Sequence, residues 1–297
     1  MATKLKFVQL DVFTTTRFLG NPLAIVHLPN DTNISQSQKQ EIAREFNLSE
    51  TVFLHETTDL DSPVTIDIFT TDKELPFAGH PTIGSGWYLL SQAPERSAVT
   101  LRTKAGEIPV LRDSQRVGLQ VPIKFKVHAP YKHPNLKGLQ AKLKDHDYVN
   151  GVAGGEALAS IVKGMTFILL QLTSEDALAG LQPYPEPFHS SDLGEWAGFV
   201  GVYAFFERED GVVRTRMFEG SLEDPATGSA ASTLGGWLAK RKGPGQWTFQ
   251  IVQGVEMGRR SDITVIAEVG PDGEVSRIDL GGSAVEVMEG WVRVGHM

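Results

Sequence analysis

The chain has 297 residues, 41% hydrophobic and 22% charged, with 28 Lys and Arg against 36 Asp and Glu for a net charge of −8. This is the composition of a globular protein with room for one large domain or two of about 150 residues, two being favoured, and its acidic balance without a basic block argues against nucleic acid and anionic membranes as partners. The absence of cysteine excludes disulfides, thiolate nucleophiles, iron–sulfur clusters, thiolate zinc sites and thiol-based racemase chemistry.

The N-terminal MATKLKFVQLDVF alternates polar and apolar residues as a first strand does, over Lys4 to Phe13. It lacks the apolar centre and cleavage site of a signal peptide, and no apolar run approaches a membrane span, so a cytoplasmic protein is expected. A loop at Gly20, Asn21 and Pro22 leads to a strand from Leu23 to Leu28, a helix from Ser35 to Phe46, and strands at Thr51 to His55 and Val64 to Phe69. A helix follows Pro81, and more strand pattern runs from Val99 to Val121. The Pro- and Lys-rich stretch from Pro122 to Pro134 reads as a linker. The second half repeats the style, with strands at Met165 to Leu172, Gly201 to Glu207 and Val212 to Phe218, a helix after Pro225, then strands at Trp247 to Val252, Asp262 to Val269 and Ala284 to Val294. Each half is therefore many strands around one helix rich in Gly, Ala and Ser. A helix small on most faces can be enclosed by a curled sheet, whereas a surface helix needs a charged face.

Those two helices begin in segments that nearly repeat. HPTIGS (His80 to Ser85) and DPATGS (Asp224 to Ser229) lie 144 residues apart, each with a polar residue before Pro and Gly-Ser three and four residues beyond it. The pattern places Asp224 at an N-cap and Pro225 at the first helical position. Thr227, Gly228 and Ser229, like Gly84, Ser85 and Gly86 in the first half, keep the first turns bare. Bare first turns present free N–H groups and the positive end of the helix dipole, which favour a carboxylate or oxyanion. Two such ends, one per half, could serve a single anionic ligand in a cleft between domains, bringing His80 and Asp224 face to face. Glu50, in NLSETVFL, sits where the chain turns into an apolar strand, and Asn47 is placed to end the preceding helix. Partial desolvation there is expected to raise the Glu50 pKa and suit it to proton transfer. Plain alternatives stand beside each residue: Asp224 as a cap only, His80 as a histidine satisfied by a carbonyl, Glu50 as a solvated turn glutamate. The eight histidines show no HxH or HExxH grouping, so no metal is expected.

Taken together, QLDVFT (Gln9 to Thr14), FLGNPLAIV (Phe18 to Val26), NLSET (Asn47 to Thr51), LPFAGHPTIG (Leu75 to Gly84), TKAGEI (Thr103 to Ile108), EDPATGSAA (Glu223 to Ala231) and QGVEMGRRS (Gln253 to Ser261) resemble the PhzF family of cofactor-free isomerases. EDPATGSAA and GHPT carry the most specificity. The resemblance implies an α/β (α+β) fold like that of diaminopimelate epimerase, in which two pseudo-symmetric domains each wrap a strongly curved sheet around a central helix. The domains would be 1–123, completed by 286–297, and 124–285, with the active site between them. It further implies a homodimer, no cofactor, and a small carboxylated metabolite as partner. Glu50 would be the general acid and base, with His80 and Asp224 beside it as catalytic residues that hold the substrate's polar groups, and with Gly79, Gly228 and Ser229 binding the substrate. A two-thiol mechanism is excluded, so one carboxylate must both take and return the proton. The run from Phe218 to Glu223 is shorter than in many relatives and bears on pocket shape, so the phenazine substrate does not carry over with the motifs. Two other readings remain at this point: a non-catalytic binding or scaffold protein with the same fold, and a serine hydrolase. The second is disfavoured because no GxSxG elbow surrounds Ser85 or Ser229.

Overall fold

A computed structural model of the chain describes residues 4–294. They form two compact units, the first built from residues 4–120 and 281–294 and the second from Val121–Leu280.

The first unit opens with β1 (Lys4–Val12), β2 (Asn21–Leu28), α1 (Gln36–Phe46), β3 (Thr51–His55), β4 (Val64–Phe69) and β5 (Glu74–Leu75). It continues with α2 (Gly79–Gln92), β6 (Ala98–Thr103), β7 (Gly106–Asp113) and β8 (Arg116–Gln120). β2 and β3 run parallel, as do β4 and β6, while β1–β2, β3–β4, β6–β7 and β7–β8 are antiparallel. Parallel neighbours need a crossover, and the two crossovers are α1 and α2. Ser35 starts α1 with a full capping box, its hydroxyl taking the Gln38 N–H at 3.2 Å while the Gln38 side chain takes the Ser35 N–H at 2.9 Å. Ile42 and Ala43 of α1 then pack on Leu5, Val26, Phe53 and Phe69.

The second unit holds β9 (Lys126–Val127), α3 (Pro134–Gly138), β10 (Ala157–Val162), β11 (Met165–Gln171), α4 (Glu175–Gly180), β12 (Phe199–Glu207), β13 (Val212–Glu219) and β14 (Leu222–Asp224). After these come α5 (Gly228–Lys242), β15 (Gly245–Gln253) and β16 (Ser261–Val269). β17 (Val275–Gly282) leads to β18 (Ala284–Arg293), which lies antiparallel to β1 in the first unit. The run expected as a linker is partly built into the second unit, since β9 pairs with β10. Here too the parallel pairs, β11–β12 and β13–β15, are joined through helices, α4 and α5. The order β1, β2, β3, β4, β6, β7 thus recurs as β10, β11, β12, β13, β15, β16 with the same pattern of parallel and antiparallel steps. This is the internal duplication expected from the sequence, but in a different register.

The central helices start at Gly79 and Gly228, 149 residues apart rather than 144. The short hairpins before them agree, with Ile68 opposite Leu75 and Met217 opposite Asp224. In this register Gly79 matches Gly228, His80 matches Ser229, and Asp224 matches Leu75. Asp224 is therefore not the N-cap of α5 but the last residue of β14, and Pro225 lies in the turn before the helix. Pro81 is the third residue of α2, still among the first four positions whose N–H groups have no intrahelical acceptor.

Both helices are enclosed, nearly every residue of the first two turns being buried. Glycine is what lets the sheet close on them: a Cβ on Gly86 would meet Val110 Cγ1 at 2.6 Å, and one on Gly235 would meet Val265 Cγ1 at 2.5 Å. These two glycines are again 149 apart. Among the described residues no helix is long and apolar enough to cross a membrane.

Candidate active site

Glu50 is set by the end of one element and the start of another. Asn47 closes α1 in the left-handed region (φ 51°, ψ 37°), a conformation Asn tolerates better than most residues, and its N–H bonds the Ala43 carbonyl at 3.1 Å. Four residues on, Thr51 begins β3, whose first four residues are buried. Glu50 is caught between them with its side chain 18% exposed. His80 comes from the first turn of α2 and is almost fully buried. Its Nδ1 lies 3.0 Å from Glu50 Oε2.

That contact corrects the pKa expected for Glu50. Burial does push the carboxyl up, as the apolar strand suggested, but the hydrogen bond from His80, the favourable charge interaction with it and a hydrogen bond from Ser49 together outweigh burial. The carboxyl sits below its ordinary value, so Glu50 is a carboxylate at neutral pH. With the carboxylate able only to accept, Nδ1 of His80 carries the shared proton. The other ring nitrogen, Nε2, is buried without a hydrogen-bond partner among the described residues. Ser49 is a member of this group that sequence reasoning passes over, although it stands inside the NLSET motif. Its hydroxyl also reaches Asn21 Oδ1 at 3.4 Å.

The helix starts are as bare as expected. The N-cap residues, Ala78 and Thr227, make no side-chain capping bond, and neither first turn carries an acid. Gly79 and His80 open α2 in the first unit, and Gly228 and Ser229 open α5 in the second. Ser229 accepts the Thr233 hydroxyl on its backbone carbonyl at 2.8 Å. Asp224 is held by the Thr227 hydroxyl on Oδ2 and by the Gln253 amide on its carbonyl at 2.7 Å. The structure therefore brings Glu50 and His80 into direct contact within the first unit and sets Asp224, Gly228 and Ser229 on one strand–turn–helix segment of the second. Among the described residues no group of three or more His, Asp or Glu is placed to hold a metal ion.

Glu50 and His80 thus form a pair in which a partly buried carboxylate accepts from an imidazole N–H, the kind of group that general acid–base chemistry requires.

The family model for phenazine biosynthesis-like proteins matches residues 10–290. An uncharacterized isomerase of Pasteurella multocida is 34% identical over 97% of this chain and 93% of its own length. Trans-2,3-dihydro-3-hydroxyanthranilate isomerase of Pseudomonas aeruginosa is 31% identical over 96% of this chain and 98% of its own. Among solved structures, a PhzF family phenazine biosynthesis protein of Bacillus anthracis superposes with a TM-score of 0.80 at 22% identity, covering 98% of this chain and 99% of that one. A hydroxyproline epimerase of Agrobacterium vitis shares the fold at a TM-score of 0.62 and 15% identity, over 99% and 94% of the two chains.

Proposed function

Because the chain belongs to the phenazine biosynthesis-like protein family and is a PhzF-like isomerase, we propose that it shifts a proton between carbons of a small carboxylated metabolite, with Glu50 as the acid and base. The observation that carries this reading is the 3.0 Å contact between Glu50 and His80. The Glu50 carboxylate accepts a proton from a carbon next to a carboxylate or conjugated system, leaving a delocalised carbanion. The protonated Glu50, whose proton can exchange with solvent, then delivers a proton to another carbon of the same π-system, so the substrate ends with the atoms and electrons it began with. His80 holds the carboxylate in one orientation through both steps. Free N–H groups at a bare helix start stabilise developing negative charge, an effect worth about 3 kcal/mol per donor at such sites. Gly79, Asp224, Gly228 and Ser229 belong to the same proposal as substrate-holding groups, as does a homodimeric assembly, which sedimentation equilibrium would check.

The name of the Pseudomonas relatives makes trans-2,3-dihydro-3-hydroxyanthranilate the first compound to try. In deuterated water the wild type is expected to place solvent deuterium on a ring carbon of the compound, and Glu50→Gln to slow that exchange by about 10²–10⁴-fold, the usual contribution of a general acid–base. Exchange that persists unchanged in a folded Glu50→Gln protein would remove Glu50 from the reaction.

A further inference from the structure

The turn between β14 and α5 contains a hydrogen-bond network whose polarity can be worked out from two backbone groups. Gln253, fully buried at the end of β15, takes the Thr227 N–H on its side-chain oxygen at 3.2 Å and donates its side-chain nitrogen to the Asp224 carbonyl at 2.7 Å. A backbone N–H can only donate and a carbonyl only accept, so the amide has one orientation. The Tyr203 hydroxyl lies 3.0 Å from both this amide oxygen and the Thr215 hydroxyl oxygen. Burial above all pushes that hydroxyl up, against the lowering effect of its hydrogen bond with Thr215 and with the negative charge of Asp224 adding to the rise, so it stays protonated. The Gln253 nitrogen also donates to the Thr227 hydroxyl oxygen at 3.1 Å, which leaves the Thr227 proton for its remaining neighbour, Oδ2 of Asp224. The donors that run from Gln253 through Thr227 to Asp224 therefore point the same way, toward a carboxyl group that accepts at Oδ2.

The fold does not require this network. In the first unit the same route from strand to helix, with Leu75, Pro76, Phe77, Ala78 and Gly79 in place of Asp224, Pro225, Ala226, Thr227 and Gly228, is made by apolar side chains. That turn is secured on its backbone, by Ala105 N–H to the Pro76 carbonyl at 3.0 Å and by the Thr82 hydroxyl to the Ala78 carbonyl at 2.7 Å. Thr227, moreover, occupies an N-cap position where its hydroxyl would ordinarily bond the helix's own N–H groups. It makes no such bond and is committed to Asp224 instead.

We propose that Thr227 and Gln253 are positioning residues that hold the Asp224 side chain ionised and in one orientation, as an anchor for a hydrogen-bond donor of the ligand, an ammonium or hydroxyl group, and that Asp224 does not itself carry the transferred proton. This rests on the proposed function for the identity of the reaction, but not for who holds the carboxylate. The test starts with the protein labelled with ¹³C at aspartate Cγ, the Asp224 resonance being identified by its loss in Asp224→Asn. Near neutral pH it should lie at the carboxylate position, move in Thr227→Val and return in Thr227→Ser. A resonance at the protonated position, or one unmoved by Thr227→Val, overturns the proposal whatever the protein acts on. With trans-2,3-dihydro-3-hydroxyanthranilate as the assay compound, Thr227→Val should raise KM about tenfold, the loss of roughly one charge-assisted bond, while leaving kcat nearly unchanged, and Thr227→Ser should restore it. A fall in kcat at constant KM would overturn the anchoring role. If Asp224→Asn keeps wild-type kcat and KM, Asp224 leaves the proposed site, while the resonance still decides what Thr227 and Gln253 do.

Discussion

Replacing His80 with leucine removes the partner of Glu50 while roughly keeping the volume of a side chain that is only 3% exposed. The bond lost, 3.0 Å from an imidazole N–H to a carboxylate, is of the charge-assisted kind worth about 1.5–3 kcal/mol. At roughly 2–4 °C per kcal/mol for a chain of this size, the melting temperature near neutral pH should fall by about 3–12 °C. The pH dependence of that fall is the sharper measurement. In the wild type the Glu50 carboxyl lies below its ordinary value, so its contribution to stability is complete above the unfolded value of about 4.3 and is lost as the pH drops through the folded one. In His80→Leu the depressing partner is gone and burial remains, which favours the neutral acid. The stability difference between the two proteins should therefore be largest near neutrality and shrink on acidification below about pH 4. Calorimetric scans across that range provide the assay, with wild type and variant run side by side. A destabilisation equal at both ends would mean that the leucine acts by misfit alone and that His80 does not stabilise a charged Glu50.

Two further outcomes test the framework that positions the pair. Gly86→Ala, whose new Cβ would lie 2.6 Å from Val110 Cγ1, should cost about 1–3 kcal/mol by overpacking in urea unfolding, and Val110→Ala in the same protein should recover part of that loss. Lys137 and Glu156 form an ion pair with side chains 4% and 0% exposed, so Lys137→Met should destabilise by about 3–5 kcal/mol at neutral pH through the unpaired acid left behind. The double variant Lys137→Met with Glu156→Gln should recover much of the difference. No recovery would show that Lys137 matters through its bonds to the Gly151 and Gly154 carbonyls, which order the loop beside it.

The strands from Thr51 to His55 and from Val64 to Phe69 were legible to the residue, because each is an apolar or alternating run bounded by turn residues. β5 and β14 were not, since two or three residues cannot display a period of two, and β10 was hidden by its small residues, Ala157, Ala159 and Ser160. The pKa of Glu50 was misjudged for a related reason: the neighbouring apolar strand is visible in the sequence, whereas the histidine that reverses its effect is 30 residues away and is brought in by the crossover helix α2.

The register of the duplication shows most clearly where residue identities stop being informative. HPTIGS over DPATGS matches Pro, Gly and Ser, and ELPFAG over EDPATG matches Glu, Pro and Gly; each scores three identities in six positions. Only the backbone separates them, because the hairpins that precede the helices pair Ile68 with Leu75 and Met217 with Asp224. Once that register holds, equivalent positions of the two units carry unlike chemistry: His80 against Ser229, Leu75 against Asp224, and Glu50 ahead of Thr51 against Gly201 ahead of Val202, since Thr51 and Val202 lie opposite the equivalent Phe69 and Phe218. A duplicated frame that began with two similar helix starts has thus kept the bare first turns, which are a property of backbone geometry, while its acids stand at non-equivalent places. The proposed function accordingly gives the proton transfer to Glu50 alone and asks of Asp224, whose Oδ2 accepts the Thr227 hydroxyl, only that it hold the ligand.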